Sequence, residues 1–135
     1  MSTSPALLLA TILLSLTTYA QASVQAAEAA ALSWLALIDS GKYHQAWEAS
    51  SPLLKAPLSS SMLARTVELA RNEFGPVESR RRVQTSRYTS MPGAPDGDYI
   101  VFIFQTRFEN KARGIDTITP HLENGTWRVS GYYVH

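Results

Sequence analysis

The dipeptide Asn124-Gly125, set between the alternating runs 115–123 and 126–134, constrains this chain more than any other feature. Asn-Gly readily takes the positive φ that both central positions of a two-residue hairpin turn require, and such a turn dictates which residues face each other. Glu123 is expected opposite Thr126, Leu122 opposite Trp127, Ile118 opposite Gly131 and Asp116 opposite Tyr133. Successive side chains in a strand point to opposite faces. Ile118, Pro120, Leu122, Trp127 and Val129 therefore share one face, and Thr117, Thr119, His121, Arg128, Ser130 and Tyr132 share the other. The apolar set marks the core side.

Upstream, the period is helical. From Ser23 to Asp39 the residues Ala27, Ala31, Trp34, Leu35 and Ile38 recur at spacings of three and four, a single apolar stripe in an alanine-rich segment, and Gly41 ends it. Tyr43, Ala46 and Trp47 predict a short second helix with Asp39 or Ser40 as its cap, and Pro52 and Pro57 bracket the connection that follows. A third helix starts at the Ser59-Ser60-Ser61 cluster, buries Leu63, Val67, Ala70 and Phe74, and stops at Gly75-Pro76. Beyond Gly75 the period becomes two, with strands at about 77–88, 99–109, 115–123 and 126–134. Helices followed by strands predict an α+β fold, with N-terminal helices packed across a curved four-stranded antiparallel sheet. If Phe108 lies opposite Asp116, the row Ile100, Phe102, Phe104, Thr106 and Phe108 faces the helices. Val101 and Ile103 on the reverse face are too apolar for a wholly wet surface and point to a homodimer or a second sheet.

The start of the chain reads differently. Ala6 to Leu16 is one apolar run, followed by the small-x-small sequence Ala20-Gln21-Ala22. The run is about half of the roughly 20 apolar residues a spanning helix needs, so residues 1–22 read as a signal peptide and 23–135 as one domain, with no membrane span in the mature chain. Met1 to Pro5 lack the Lys or Arg usual ahead of such a run. A periplasmic or secreted location follows. The balance of 12 Lys and Arg against 11 Asp and Glu argues against nucleic acid or anionic lipid as the main partner. The absence of cysteine removes disulfides, thiol catalysis and thiolate metal sites. His44, His121 and His135 are dispersed without metal-ligand spacing, so neither metal nor cofactor is expected.

A series of segments carries a family resemblance: Trp34 and Ile38-Asp39-x-Gly41-x-Tyr43, Trp47, Arg71-x-x-Phe74-Gly75, Arg80, Pro92-Gly93-Ala94-Pro95-Asp96-Gly97-x-Tyr99, Phe108-x-Asn110-Lys111, Thr117-Ile118-Thr119-Pro120 and Trp127-Arg128-Val129-Ser130-Gly131-Tyr132-Tyr133. In this order they resemble the bacterial family called domain of unknown function 4019, within the nuclear-transport-factor-2-like superfamily. Asp116 stands where that family usually has Glu. The resemblance implies a cone in which helices cross a curved sheet and leave a cavity at the open end; it implies no activity.

The pair of chemical interest is Asp116 with Tyr133. Set among Phe104, Phe108, Trp34 and Trp47, a carboxyl would have its charged form destabilised, and the neighbouring phenol could donate a hydrogen bond, which is isomerase-like or lyase-like chemistry in outline. The competing reading makes Asp116 the partner of Arg80 or Arg107, and a catalytic base requires that no such partner exist. Gly131 either opens space for a ligand or permits sheet curvature. Arg80 and Arg82 alternate with Arg81, which suits a charged edge strand, with one inward arginine available to an anion. Arg71 either caps its helix or reaches Asp39. The sequence thus favours a noncatalytic binding domain for a small apolar ligand or an envelope protein, with Trp47, Phe104, Phe108, Asp116 and Tyr133 as candidate ligand-binding residues and the enzyme as the alternative.

Overall fold

Five apolar positions at helical spacing produce the first element. In the computed structural model, which describes residues 23–135, helix α1 covers residues 23–39, and Ala27, Ala31, Trp34, Leu35 and Ile38 are all buried along it. The expected signal peptide, 1–22, lies outside the described residues. Trp34 anchors the helical layer, because its indole Nε1 donates to the Ala46 carbonyl at 3.0 Å and to Ser50 Oγ at 2.9 Å. That ties α1 to α2 (Tyr43–Glu48). The connection bracketed by prolines holds a further short helix, α3 (Pro52–Lys55), started by Pro52 at a position where its missing N–H costs nothing and by Ser51, whose side chain accepts from the Leu53 amide. Helix α4 (Ser60–Arg71) is capped by Ser59, which accepts from the Met62 amide. Leu63 and Val67 are buried beneath it, whereas Ala70 is exposed and Phe74 lies beyond the helix, half-buried on the Phe108 ring at 5.2 Å. Among the described residues no helix is long and apolar enough to cross a membrane.

Four antiparallel strands follow in a simple meander: β1 (Val77–Tyr88), β2 (Tyr99–Phe108), β3 (Lys111–Glu123) and β4 (Thr126–Val134), in spatial order β1-β2-β3-β4. The open sheet and the helices that precede it make the α+β class expected from the change of period. Ile100, Phe102, Phe104, Thr106 and Phe108 all face the helices and are buried. Each enclosed aromatic or branched side chain contributes about 1.5–3 kcal/mol by leaving water.

The second turn differs from expectation. It is the two-residue Glu109-Asn110, β3 begins at Lys111, and Phe104 rather than Phe108 pairs with Asp116. Because the displacement is an even number of residues, the faces are unchanged. Gly114 sits inside β3 because the Phe108 ring fills its place: a Cβ there would come within 2.5 Å of that ring.

The third turn has the geometry that Asn-Gly predicts, with φ of 50° at Asn124 and 80° at Gly125. Its first four pairs are as expected, from Glu123 with Thr126 to Pro120 with Val129. Past Pro120 the register shifts by one: Thr119 pairs with Gly131, Ile118 with Tyr132, Thr117 with Tyr133 and Asp116 with Val134. Proline has no N–H for the ladder, and in an interior strand it is accommodated at a bulge. Ser130 is the extra residue, and its hydroxyl donates to the Thr119 carbonyl at 2.8 Å, where ladder bonding is broken. The expected pairing of Asp116 with Tyr133 is therefore corrected: Tyr132 turns toward the helices and Tyr133 turns outward, 63% exposed. Gly131 likewise leaves the position opposite Ile118, and a Cβ there would meet nothing within 4 Å.

Candidate functional site

The bulge delivers Tyr132 to Asp116. Asp116 is fully enclosed, and three donors converge on its carboxylate: Tyr132 Oη on Oδ1 at 2.5 Å, and Thr106 Oγ1 at 2.5 Å and Arg80 Nε at 3.0 Å on Oδ2. Arg80 continues outward to Asp39 at the C-terminal end of α1, with Nη1 donating to Oδ2 at 2.8 Å and Nη2 to Oδ1 at 3.2 Å. Arg71, in the last turn of α4, donates to the same Asp39 Oδ1 at 2.8 Å and lies over the Phe108 ring at 5.0 Å. The result is a chain of alternating charge, Arg71–Asp39–Arg80–Asp116, ending on two neutral hydroxyls. It links α1, α4 and all four strands of the sheet.

Electrostatics follow from that order. Burial acts to lower the Arg80 pKa, but the hydrogen bond and charge of Asp39 together with the charge of Asp116 outweigh it, and the guanidinium ends above its ordinary value. Burial first, and then the charge and hydrogen bond of Asp116, push the Tyr132 phenol well above its ordinary value. Trp34 closes over Tyr132 edge-on, 5.1 Å between ring centres. Asp116 thus has an arginine partner, and the condition under which it could serve as a free base is not met. Arg80 is the inward arginine anticipated from the alternation of β1, but its donors are engaged within the protein. The reach of Arg71 to Asp39 matches the pairing alternative.

The five candidate ligand residues do not share one cavity wall. Phe104 and Phe108 are core side chains, each 1% exposed. Trp47 is half-buried, with its indole N–H donating to the Leu58 carbonyl at 2.6 Å and Lys55 over its ring at 5.3 Å. Tyr133 does line a cavity of about 490 Å3, between α3, α4 and the last residues of β4. Its apolar walls are Leu53, Leu54, Leu58, Leu63, Val67 and Ala70, and Ser130 to Val134 close the sheet side. No charged side chain lines it. The opening exists because Pro57 and the Ser59 cap turn the chain from α3 into α4 above the β4 edge, while the Ser51 amide holds α3 to the Val129 carbonyl at 2.8 Å.

Sequence reasoning missed α3, Tyr132 and Thr106. Ser51-Pro52 was a legible helix start, and Pro120 in an interior strand was a legible bulge. Alternation puts Thr106 on the inner face, but nothing local in the sequence marks its bond to Asp116. Among the described residues no group of His, Asp and Glu is arranged to hold a metal ion.

No curated protein and no solved structure matches the chain. The family model described as protein of unknown function DUF4019 matches residues 30–132, a span that takes in the C-terminal part of α1, the whole ion chain and the bulge of β4. Every member of the Asp116 cluster lies within that span, and the chain belongs to DUF4019.

Proposed function

We propose that this chain is an exported, noncatalytic binding domain of the bacterial envelope whose cavity between α3, α4 and β4 takes a small, neutral, apolar ligand. One observation carries the reading: an opening of about 490 Å3, within the range of small-molecule sites, whose lining is mainly aliphatic and tyrosyl, with the hydroxyl residues Thr66 and Ser130 and no charge. A neutral apolar molecule loses little on leaving water for such walls, whereas a charged one would lose its hydration without a partner. The Asp116 cluster supports the site from behind, since it fixes Tyr132 in the wall while its charges are compensated internally. Export is inferred from the apolar run Ala6 to Leu16 with Ala20-Gln21-Ala22. Association of two copies is inferred from Val101, Ile103 and Ile115, apolar side chains on the sheet face away from the helices that are only half-covered.

The test is fluorescence titration with the neutral probe N-phenyl-1-naphthylamine, beside native mass spectrometry of protein purified from its own host. Saturable enhancement with the wild type and its loss in Ala70→Phe, which adds a ring to the lining on an exposed helix position, is the expected result. Equal enhancement in both proteins, or none in either together with a bare chain mass, overturns the proposal. A copurifying polypeptide in place of a small molecule would reassign the groove to a protein partner.

A further inference from the structure

A second depression lies on the opposite face of the sheet and has the opposite chemistry. It has a volume of about 350 Å3, and its walls include Ser79 and Arg81 of β1, Gln105 and Arg107 of β2, and Arg113 of β3. The register explains the convergence. Arg81 pairs with Gln105 and Ser79 with Arg107, and paired residues of antiparallel strands share a face. Arg113 lies one residue before Gly114, whose partner Thr106 lies one residue before Arg107. Three adjacent strands thus each supply one arginine, across about 10 Å at the usual strand spacing.

These guanidinium groups are unequally satisfied. Arg107 is paired with Glu78 through a 3.0 Å contact on the surface. Arg81 Nη2 donates to the neutral Gln105 Oε1 at 2.5 Å, which leaves its charge uncompensated. Arg113 makes no hydrogen bond or ion pair with the described residues, all of whose ion pairs involve other groups. The whole chain carries a net charge of only +1, so this is a concentration of positive charge on a nearly neutral molecule. An edge strand needs some charge to discourage pairing with another chain, which accounts for arginine on β1. It does not account for Arg107 and Arg113, which lie on interior strands.

We propose that this depression binds the phosphate group of a small phosphate ester. One guanidinium fork already satisfies both oxygens of a carboxylate, and three forks exceed what a carboxylate can accept. A phosphate monoester presents three terminal oxygens and up to two negative charges, which matches the uncompensated Arg81 and Arg113. Gln105 is set as a further donor: because its Oε1 is engaged by Arg81, its amide NH2 is directed away from that arginine. The volume leaves room for part of the alcohol as well as for the phosphate. The site is open to water, so its affinity is modest and falls with salt. It is remote from the apolar cavity, which faces α3 and α4, and stands independently of the function proposed for it.

The test is an NMR titration of the 15N-labelled protein with glycerol 3-phosphate at constant ionic strength, following the arginine Nε–Hε signals. Saturable shifts at Arg81, Arg107 and Arg113, with an apparent Kd raised by about tenfold in both Arg81→Gln and Arg113→Gln, are expected. Sodium chloride at matched ionic strength should give no saturable shift. Cosedimentation with vesicles containing phosphatidic acid, against phosphatidylcholine alone, separates the sources of the group. Vesicle binding that depends on Arg81 and Arg113 would make the ester a lipid headgroup, and its absence beside saturable glycerol 3-phosphate binding would make it a soluble metabolite. Shifts that do not saturate, or that appear equally at Arg65 and Arg128, overturn the proposal.

Discussion

Arg80 and Arg81 are neighbours in the chain and occupy opposite environments. Arg80 points toward the helices, its side chain 10% exposed, and donates to Asp39 and Asp116 through all three of its nitrogens. Arg81 points out from the other face and donates to an amide oxygen. One step of strand alternation therefore turns the same side chain from a structural crosspiece between helix and sheet into an exposed cation. What separates them is the availability of carboxylates: α1 ends with Asp39 over the inner face, whereas on the outer face Glu78 is taken by Arg107.

The sharpest way to break this contrast is at the buried carboxylate. Asp116→Ala strands the Arg80 Nε and the hydroxyls of Thr106 and Tyr132 in an enclosed space, and removing one partner from a buried pair costs about 3–5 kcal/mol. Asp116→Asn keeps the volume and loses only the charge, so its cost should fall below that of the alanine variant while remaining above about 1 kcal/mol. Urea unfolding measures both. A near-neutral alanine variant would mean that the inner arginine is no better integrated than the outer one.

Next in size is Trp127→Ala, which probes how completely the helical layer covers the inner face. The ring packs against the core but is only half-buried. A loss of about 2 kcal/mol is expected, short of the roughly 3–5 for a fully enclosed aromatic side chain. A loss at the upper figure would show the β4 edge to be as well sealed as the centre of the sheet.

That difference also marks how far the sequence could be read. Periodicity was sufficient for the α1 stripe and the β2 aromatic row, because each rests on many side chains repeating one spacing. Register carried outward from Asn124-Gly125 held for four pairs and failed at Pro120, since a single bulge inverts every face beyond it. The acid–phenol couple was correct in kind but belonged to Tyr132. The ion chain was legible only as alternatives, because the partners of Asp116 and Asp39 lie 32 to 41 residues away and are chosen by tertiary packing. The apolar cavity was not legible, as α3 follows no long periodic signal.

A smaller effect tests the inner cluster through pH. Tyr132 is held protonated in the folded chain above the ordinary tyrosine value of 10.0, by burial and by Asp116. The unfolded chain gives up that proton near its ordinary pKa and the folded chain does not, so stability contributed by this group is intact below pH 10 and declines above it, by about 1.4 kcal/mol for each pH unit. Tyr99 is also raised, chiefly by burial, and shares the same window. The informative comparison is thus the wild type with Tyr132→Phe: the decline between pH 10 and 11 should be less steep in the variant. Equal slopes would place the Tyr132 hydroxyl in contact with water rather than with Asp116.

The smallest expected effect completes the comparison. Arg81→Gln removes an exposed cation whose partner is neutral, and exposed polar contacts of this kind contribute about 0.5 kcal/mol or less. Arg80→Gln, one residue earlier, leaves Asp116 charged, enclosed and dependent on two hydroxyls, so its loss should be several times larger. Salt sharpens the distinction, because screening acts on charges in contact with solvent and far less on buried ones. Raising sodium chloride from 0.05 to about 0.5 M shortens the screening length to a few ångström and should leave the Arg80→Gln deficit nearly unchanged. The same change should bring Arg81→Gln and the wild type still closer together. Were the two variants to lose stability equally, and to respond equally to salt, strand alternation would no longer distinguish an inner from an outer arginine. The Asp39–Arg80–Asp116 chain would then be a surface feature.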